Sequence, residues 1–359
     1  MTKQDFLFTL LRSELWNKHA KKPVELPDTA YRSLVDMAEM QTVTGMLCNA
    51  LAESNVKLGK LNAIDTFVRL RDIEKRNKEL DNGVANFARL MNDHHIQYFV
   101  VKGQTVSTLY PHPHVRIPGD IDVFIRQSDM QRALQLISQT WNVEVPEFSG
   151  KHIAIAYCDT ELEVHQRLQG FNSSKHQTYW DEVYDKAFDM PSHMTIGGET
   201  VQVLEPTLMV LHIFVHFYAH LLVLGVGLRQ LVDLTVCLNA YRQEIDWHLL
   251  EKHLRSLGMY HAFCAMGYVM MHKLGLPKDC FQFRIEHWHE RYEQRILDDM
   301  FYRGNFGKYN RKVQTVNWKH TLETAWIVVL HCLKFFRLSP CEIALQLPRM
   351  VRCTFVRQR

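Results

Sequence analysis

Arg116-Ile117-Pro118-Gly119-Asp120-Ile121-Asp122-Val123-Phe124-Ile125 is the stretch around which the rest of the chain can be ordered. From Gly119 to Ile125 it reads as a β-strand, because β-branched and aromatic residues alternate with two aspartates after a proline-rich loop. Asp120 and Asp122 are two residues apart, so their side chains leave one face with Cα atoms roughly 6.5 to 7 Å apart. Ile121, Val123 and Ile125 take the other face. A strand that is apolar behind and doubly acidic in front suits carboxylates that share divalent cations, since magnesium is usually held by one or two carboxylates together with substrate phosphates.

Upstream, Gln97-Tyr98-Phe99-Val100-Val101 is a second short strand, followed by Lys102-Gly103-Gln104 and a helical turn to Tyr110. A glycine directly after a strand lets backbone amides approach a phosphate closely, and the helix that starts there adds its positive end. Downstream, Ser128 to about Ser138 has helical apolar spacing, and Lys151 to Tyr157 and Glu161 to Arg167 are two strands joined tightly at Cys158-Asp159-Thr160. Met194 to Leu204 form a further hairpin around Gly197-Gly198. On the later strand Glu161, Glu163 and His165 share a face, and the strand register decides which glutamate is the third carboxylate.

Both flanks are helical. Lys3 to about His95 has apolar residues three and four apart, with a second helix starting at Pro27-Asp28 and a break at Gly59. Beyond Pro206 the chain is helical to roughly His272, then passes Pro277 into a largely helical C-terminal stretch. The expected class is α+β. A mixed sheet core at 96–205 lies between a helical region at 1–95, a helical region at 206–275 that completes the cleft, and a C-terminal helical region at 276–359.

With 359 residues, 47% of them hydrophobic, the chain can bury a sizeable core and is not expected to be disordered. Its 42 Lys and Arg against 39 Asp and Glu lack the excess of a dedicated nucleic-acid binder. The eight cysteines are scattered with no CxxC pair, which indicates neither a disulfide framework nor a zinc ribbon. The first residues, MTKQDFLFTLLRSELW, read as an amphipathic helix interrupted by Arg12 and Glu14 and not as a signal peptide, so a cytoplasmic location is expected. Histidine is unusually abundant at 20 residues.

Three of those histidines, His212, His216 and His220, lie in Leu208 to Leu228, which is about long enough to span a bilayer. Side chains one turn apart fall on one face, which suits a buried helix lining a cleft better than one in lipid, and no stable membrane insertion is expected. The same row offers imidazoles to zinc, though without a Cys or carboxylate at a short, recognisable spacing, and cleft lining is the better reading. Arg229 and Asp233 are i, i+4, either an intrahelical ion pair or, with Arg229 facing the site, a phosphate ligand. Lys334, Arg337, Arg349, Arg352, Arg357 and Arg359 stand among Phe335, Phe336, Leu345 and Val351. They read either as a basic surface for RNA or an anionic membrane, or as a helix packed by its apolar side.

In combination, Val101-Lys102-Gly103, Arg116 to Val123 and Glu163-Val164-His165 resemble the nucleotidyltransferase superfamily that includes DNA polymerase β and the antibiotic-modifying nucleotidyltransferases. The resemblance is closer to the bacterial proteins termed uncharacterised nucleotidyltransferases. That branch also carries a helical second half with histidines and an Arg-x-x-x-Asp pair, matched by His212, His216, His220, Arg229 and Asp233, so the likeness covers roughly residues 85 to 260. It implies a polymerase β-like fold in which Asp120, Asp122 and Glu163 hold Mg²⁺ or Mn²⁺ and carry catalysis, Glu163 helping to activate the acceptor hydroxyl. It implies nucleotide and phosphate contacts from Lys102, Gly103, Gln104, Arg116, Gly119 and Arg229, and a cleft lined by His152, His165, His212 and His216. The chain departs from the wider superfamily at Gly103-Gln104, where Gly-Gly or Gly-Ser is favoured. The implied reaction is in-line attack of a hydroxyl on the α-phosphate of an NTP with loss of pyrophosphate. The acceptor, an RNA end, protein, sugar or small molecule, is not written in these residues. Two other functions share some features: a non-catalytic nucleotide-sensing or interaction module, and a metal-dependent nucleotide-sugar transferase. The intact carboxylates weigh against the first, and the Lys-Gly turn ahead of the aspartates against the second.

Overall fold

The computed structural model describes residues 2–18, 24–146, 152–157, 160–223 and 225–307, together with 309, 323, 326, 329, 330 and 332–346. The expected strand start at Lys151, the Cys158-Asp159 connection and the arginines from Arg349 onward lie outside these residues. The chain falls into two compact units. One comprises the residues up to Ala38, then Val43–Gln169 and Asp181–Met209; the other comprises Glu39–Thr42, Gly170–Trp180 and the chain from Val210 onward.

Four helices precede the sheet: Lys3–Trp16, Asp28–Met40, Thr44–Glu53 and Lys60–Asp93. Thr2 opens the first with a reciprocal capping box to Asp5, which satisfies two orphan backbone donors. The second helix begins at Asp28 as its sequence signals, but it ends earlier than a single element up to Gly59 would. Thr42 takes a left-handed backbone with φ 54°, and the Val43 amide bonds back to the Ala38 carbonyl at 2.9 Å. No glycine or proline marks that stop. The long helix Lys60–Asp93 buries Leu80, Val84, Phe87, Ala88 and Met91, spaced as one helical face, and serves as the wall of the first unit.

The sheet has four strands in the order Tyr98–Val101, Ile121–Ile125, Thr160–His165, His152–Tyr157. The central pair is parallel and the outer pairs antiparallel, so the sheet is mixed. A parallel pair needs a crossover, which here contains the helix Met130–Trp141. Ile121, Val123, Ile125, Leu162 and Val164 are all buried, and each contributes on the order of 1.5 to 3 kcal/mol of apolar burial that fixes which faces turn outward. The aspartate strand starts at Ile121 and not at Gly119, so Asp120 sits at its mouth. The Gly119 carbonyl instead accepts from the Thr160 hydroxyl at 3.4 Å. The later hairpin pairs Ser192–Ile196 with Glu199–Val203 through Gly197 and Gly198, both at positive φ as a tight two-residue turn requires.

The second unit is helical among its described residues, with Leu228–Ala240, Trp247–Ser256, Tyr260–Val269 and Tyr292–Arg303 around a core that includes Phe214, Phe263 and Phe281. Gln41, fully buried, accepts from the Leu228 amide and donates to the Met300 carbonyl, so a side chain does the work of a backbone connection. Pro206–Val223 is long and apolar enough to cross a bilayer, but most of it is buried in protein.

Candidate active site

Three strands and one turn supply the site. On the parallel central pair Asp122 stands opposite Glu163, and on the antiparallel side Val101 stands opposite Asp122. The next residue along, Lys102, therefore reaches the aspartate: its Nζ donates to Asp122 Oδ1 at 2.8 Å. His165 Nε2 lies 2.8 Å from the same oxygen and 3.3 Å from Glu163 Oε2. His152, the register partner of His165 on the edge strand, lies 3.6 Å from Glu163 Oε1. Carboxylates and imidazoles thus alternate across three strands. Glu161 is exposed and falls one residue beyond the paired stretch, so Glu163 is the glutamate that faces the aspartate.

Asp122 is only 7% exposed. Burial alone would raise its pKa, but the Lys102 charge, and then the bond from His165, hold the carboxyl well below the usual aspartate range. For His165 burial favours the neutral ring, and the bonds to Asp122 and Glu163 outweigh it, raising the pKa. Asp120 behaves differently. Although the residue is exposed, its carboxyl is pushed above the ordinary value, first by lost hydration beside the protein and then by the charges of Asp122 and Glu163. An acidic mouth of this kind takes a cation readily.

The turn is strained. Lys102 has φ 59° and ψ −155°, a region in which glycine alone is at ease, at a cost of order 1 to 3 kcal/mol. It is held there by the Thr105 amide and hydroxyl, both bonded to its carbonyl, and by its own ammonium on Asp122. Gly103 follows at φ 50°, where any side chain would add strain. The helix after it, Gly103–Ser107, has only five residues, so it brings less of a positive end than the sequence reading expects. Gln104 is buried and donates to Asp81 Oδ1 at 2.6 Å, tying the turn to the long helix. Arg116 is also buried, and its carbonyl accepts from Asn77 of that helix at 2.9 Å.

Two donor sets are available to a metal. The oxygens of Asp120, Asp122 and Glu163 suit a hard cation such as Mg²⁺ or Mn²⁺, and the ionised state of Asp122 fits that use. Among the described residues, one group of three close-set ligands also stands out: His152, Glu163 and His165, with ligand atoms within 4.8 Å of one another. The seat of Lys102 on Asp122 and the His152–His165 pairing were not legible in the sequence, because both depend on strand register.

The remaining sequence-derived residues belong to the second unit. His212, His216 and His220 form a row on Pro206–Val223 with ring centroids 6.3 and 4.4 Å apart, and His212 lies beside Trp180. They are not a close-set metal group. Arg229 and Asp233 lie one turn apart on Leu228–Ala240, Asp233 buried.

Asp122 on one strand with Asp120 at its mouth, Glu163 opposite Asp122 on the parallel neighbour and a Lys-Gly turn beside them define a nucleotidyltransferase-like α+β protein. The family model described as "Uncharacterised nucleotidyltransferase" matches residues 27–275, and the chain belongs to that family. It is also similar to an antigenic nucleotidyltransferase-like protein from Paracoccidioides brasiliensis, with 15% identity, coverage of 55% of this chain and 93% of that one, and a TM-score of 0.35. No curated protein matches the chain.

Proposed function

We propose that the protein is a metal-dependent nucleotidyltransferase that moves a nucleoside monophosphate from an NTP to a hydroxyl acceptor and releases pyrophosphate. Strand register carries this reading: Asp122 and Glu163 face each other on parallel strands, with Asp120 at the mouth of the first. Bound Mg²⁺ or Mn²⁺ would neutralise phosphate charge and activate the acceptor oxygen. Asp120, Asp122 and Glu163 would hold it. Lys102 keeps Asp122 ionised, His165 fixes both carboxylates from between them, and Gly103 leaves room for a phosphate at the turn. The acceptor oxygen bonds to the α-phosphorus, the bond from that phosphorus to the bridging oxygen breaks, and the hydroxyl proton passes to Glu163.

The test is incubation with each α-labelled NTP, Mg²⁺ and cell lysate, following label into RNA, protein and small molecules. Transfer is expected, reduced about 100-fold or more by Asp120→Asn, Asp122→Asn or Glu163→Gln. Absence of both transfer and Mg²⁺-dependent NTP binding by calorimetry would refute it. A nucleotide-sensing module is the second reading, favoured by the double occupation of Asp122 Oδ1 by Lys102 and His165. NTP binding without transfer selects it.

A further inference from the structure

The edge strand and its neighbour carry nitrogen donors that a hard-cation centre does not require. His152–Tyr157 and Thr160–His165 run antiparallel with His152 opposite His165. Both imidazoles therefore leave one face together with Glu163, which lies two residues back along its strand. Each oxygen of Glu163 has an imidazole beside it: Oε2 lies 3.3 Å from His165 Nε2, and Oε1 lies 3.6 Å from His152 Nε2. An ordinary ion pair uses one imidazole, whereas two nitrogens around one carboxylate make a ligand set. Bonds of about 2.0 to 2.2 Å put the donors of a tetrahedral ion roughly 3.3 to 3.6 Å apart, so these atoms need little movement to meet one. The frame is firm, because Ile153, Ile155, Leu162 and Val164 are buried on the opposite face of the same two strands. The His152 side chain is 38% exposed, which leaves an ion a way in from solvent.

We propose that His152, Glu163 and His165 bind a borderline transition cation of the Zn²⁺ class, at a site that shares Glu163 with the hard-cation set of Asp120, Asp122 and Glu163. Imidazole nitrogen suits Zn²⁺, while carboxylate and water oxygens suit Mg²⁺, so the two sets sort the two kinds of ion. Three protein ligands leave the fourth tetrahedral position to water. The proton that His165 Nε2 directs at Asp122 leaves to solvent on coordination, and Asp122 keeps its bond from Lys102. The zinc site stands on geometry alone. Its consequence rests on the transferase reading: a filled site draws Glu163 away from Mg²⁺ and slows transfer.

The test is calorimetric titration of the full chain with Zn²⁺, without nucleotide or Mg²⁺, and with Co²⁺ as an optical probe of tetrahedral coordination. Zn²⁺ binding is expected, weakened about 100-fold by His152→Ala or His165→Ala and held within about twofold by Asp120→Asn. Circular dichroism checks the fold, and His152→Ala, at a half-exposed side chain, keeps the test decisive if His165→Ala does not fold. Absence of Zn²⁺ binding, or an affinity that survives both histidine variants, overturns the proposal. An equal loss in Asp120→Asn also overturns it, because the ion would then sit on the hard-cation set. In the labelled-NTP assay at fixed Mg²⁺, the unaltered chain should be inhibited by about tenfold less Zn²⁺ than His152→Ala requires. Equal inhibition overturns the sharing of Glu163. Absence of transfer altogether counts against the transferase reading, and calorimetry then decides the zinc site by itself.

Discussion

Lys102 holds a backbone shape that lysine seldom takes, with its ammonium fixed on Asp122. Replacement separates the two effects. Lys102→Ala and Lys102→Gly both remove the charge, but only glycine relaxes the backbone. The glycine variant should therefore be more stable than the alanine variant by about 1 to 2 kcal/mol in urea unfolding, the reverse of the usual order at unstrained sites. Equal stabilities, or alanine ahead, would show that the turn stores no strain. The acidic residues of the site were legible as residues, since Asp120 and Asp122 announce themselves by spacing. The partner of Asp122 was not, because Val101 meets it only once the intervening loop has closed.

Helices position the entry to the aspartate strand. Gly45, inside Thr44–Glu53, lets that helix approach the turn Pro113–Val115 so closely that a Cβ would lie 2.1 Å from the Val115 carbonyl oxygen. On the other side Asn77 donates to the carbonyls of His114 and Arg116 at 3.1 and 2.9 Å. Gly45→Ala should lower the thermal midpoint, costing about 2 kcal/mol or more, because a backbone oxygen must move. Gly170→Ala is the control: a Cβ there meets nothing within 4 Å, and no shift is expected. Strands at 98–101 and 152–157 and the Gly197-Gly198 hairpin were readable from alternation and turn residues. The helix end at Thr42 was not, since a threonine in the left-handed region leaves no mark in composition.

At the scale of the molecule, the α+β class follows from helical flanks around a strand-rich middle, and the family match agrees with it. The two units were not legible, because each gathers separated stretches of chain and a reading in chain order sees only neighbours. Part of the histidine abundance now has physical content beyond the site. His253 is buried, with Tyr179 Oη 2.9 Å from its Nδ1, and burial followed by the Lys252 charge lowers its pKa to about 4. The unfolded chain takes up a proton near pH 6.5 while the fold resists it. The stabilisation is present above that value and is lost as pH falls through about 4, amounting to about 3 kcal/mol in all. Urea midpoints measured from pH 7.5 down to 4 should show this acid loss, and His253→Gln should flatten it. An unchanged slope in the variant would remove His253 from the account.

Strand order bears on how the chain is made. Thr160–His165 inserts between two strands synthesised before it. While the ribosome is still working towards residue 165, Ile121–Ile125 keeps one hydrogen-bonding edge open, and Asp122 has no Glu163 opposite it. Until then the nascent chain is open to wrong pairing at the strand that holds Asp122, and the carboxylates meet only when the sheet is closed.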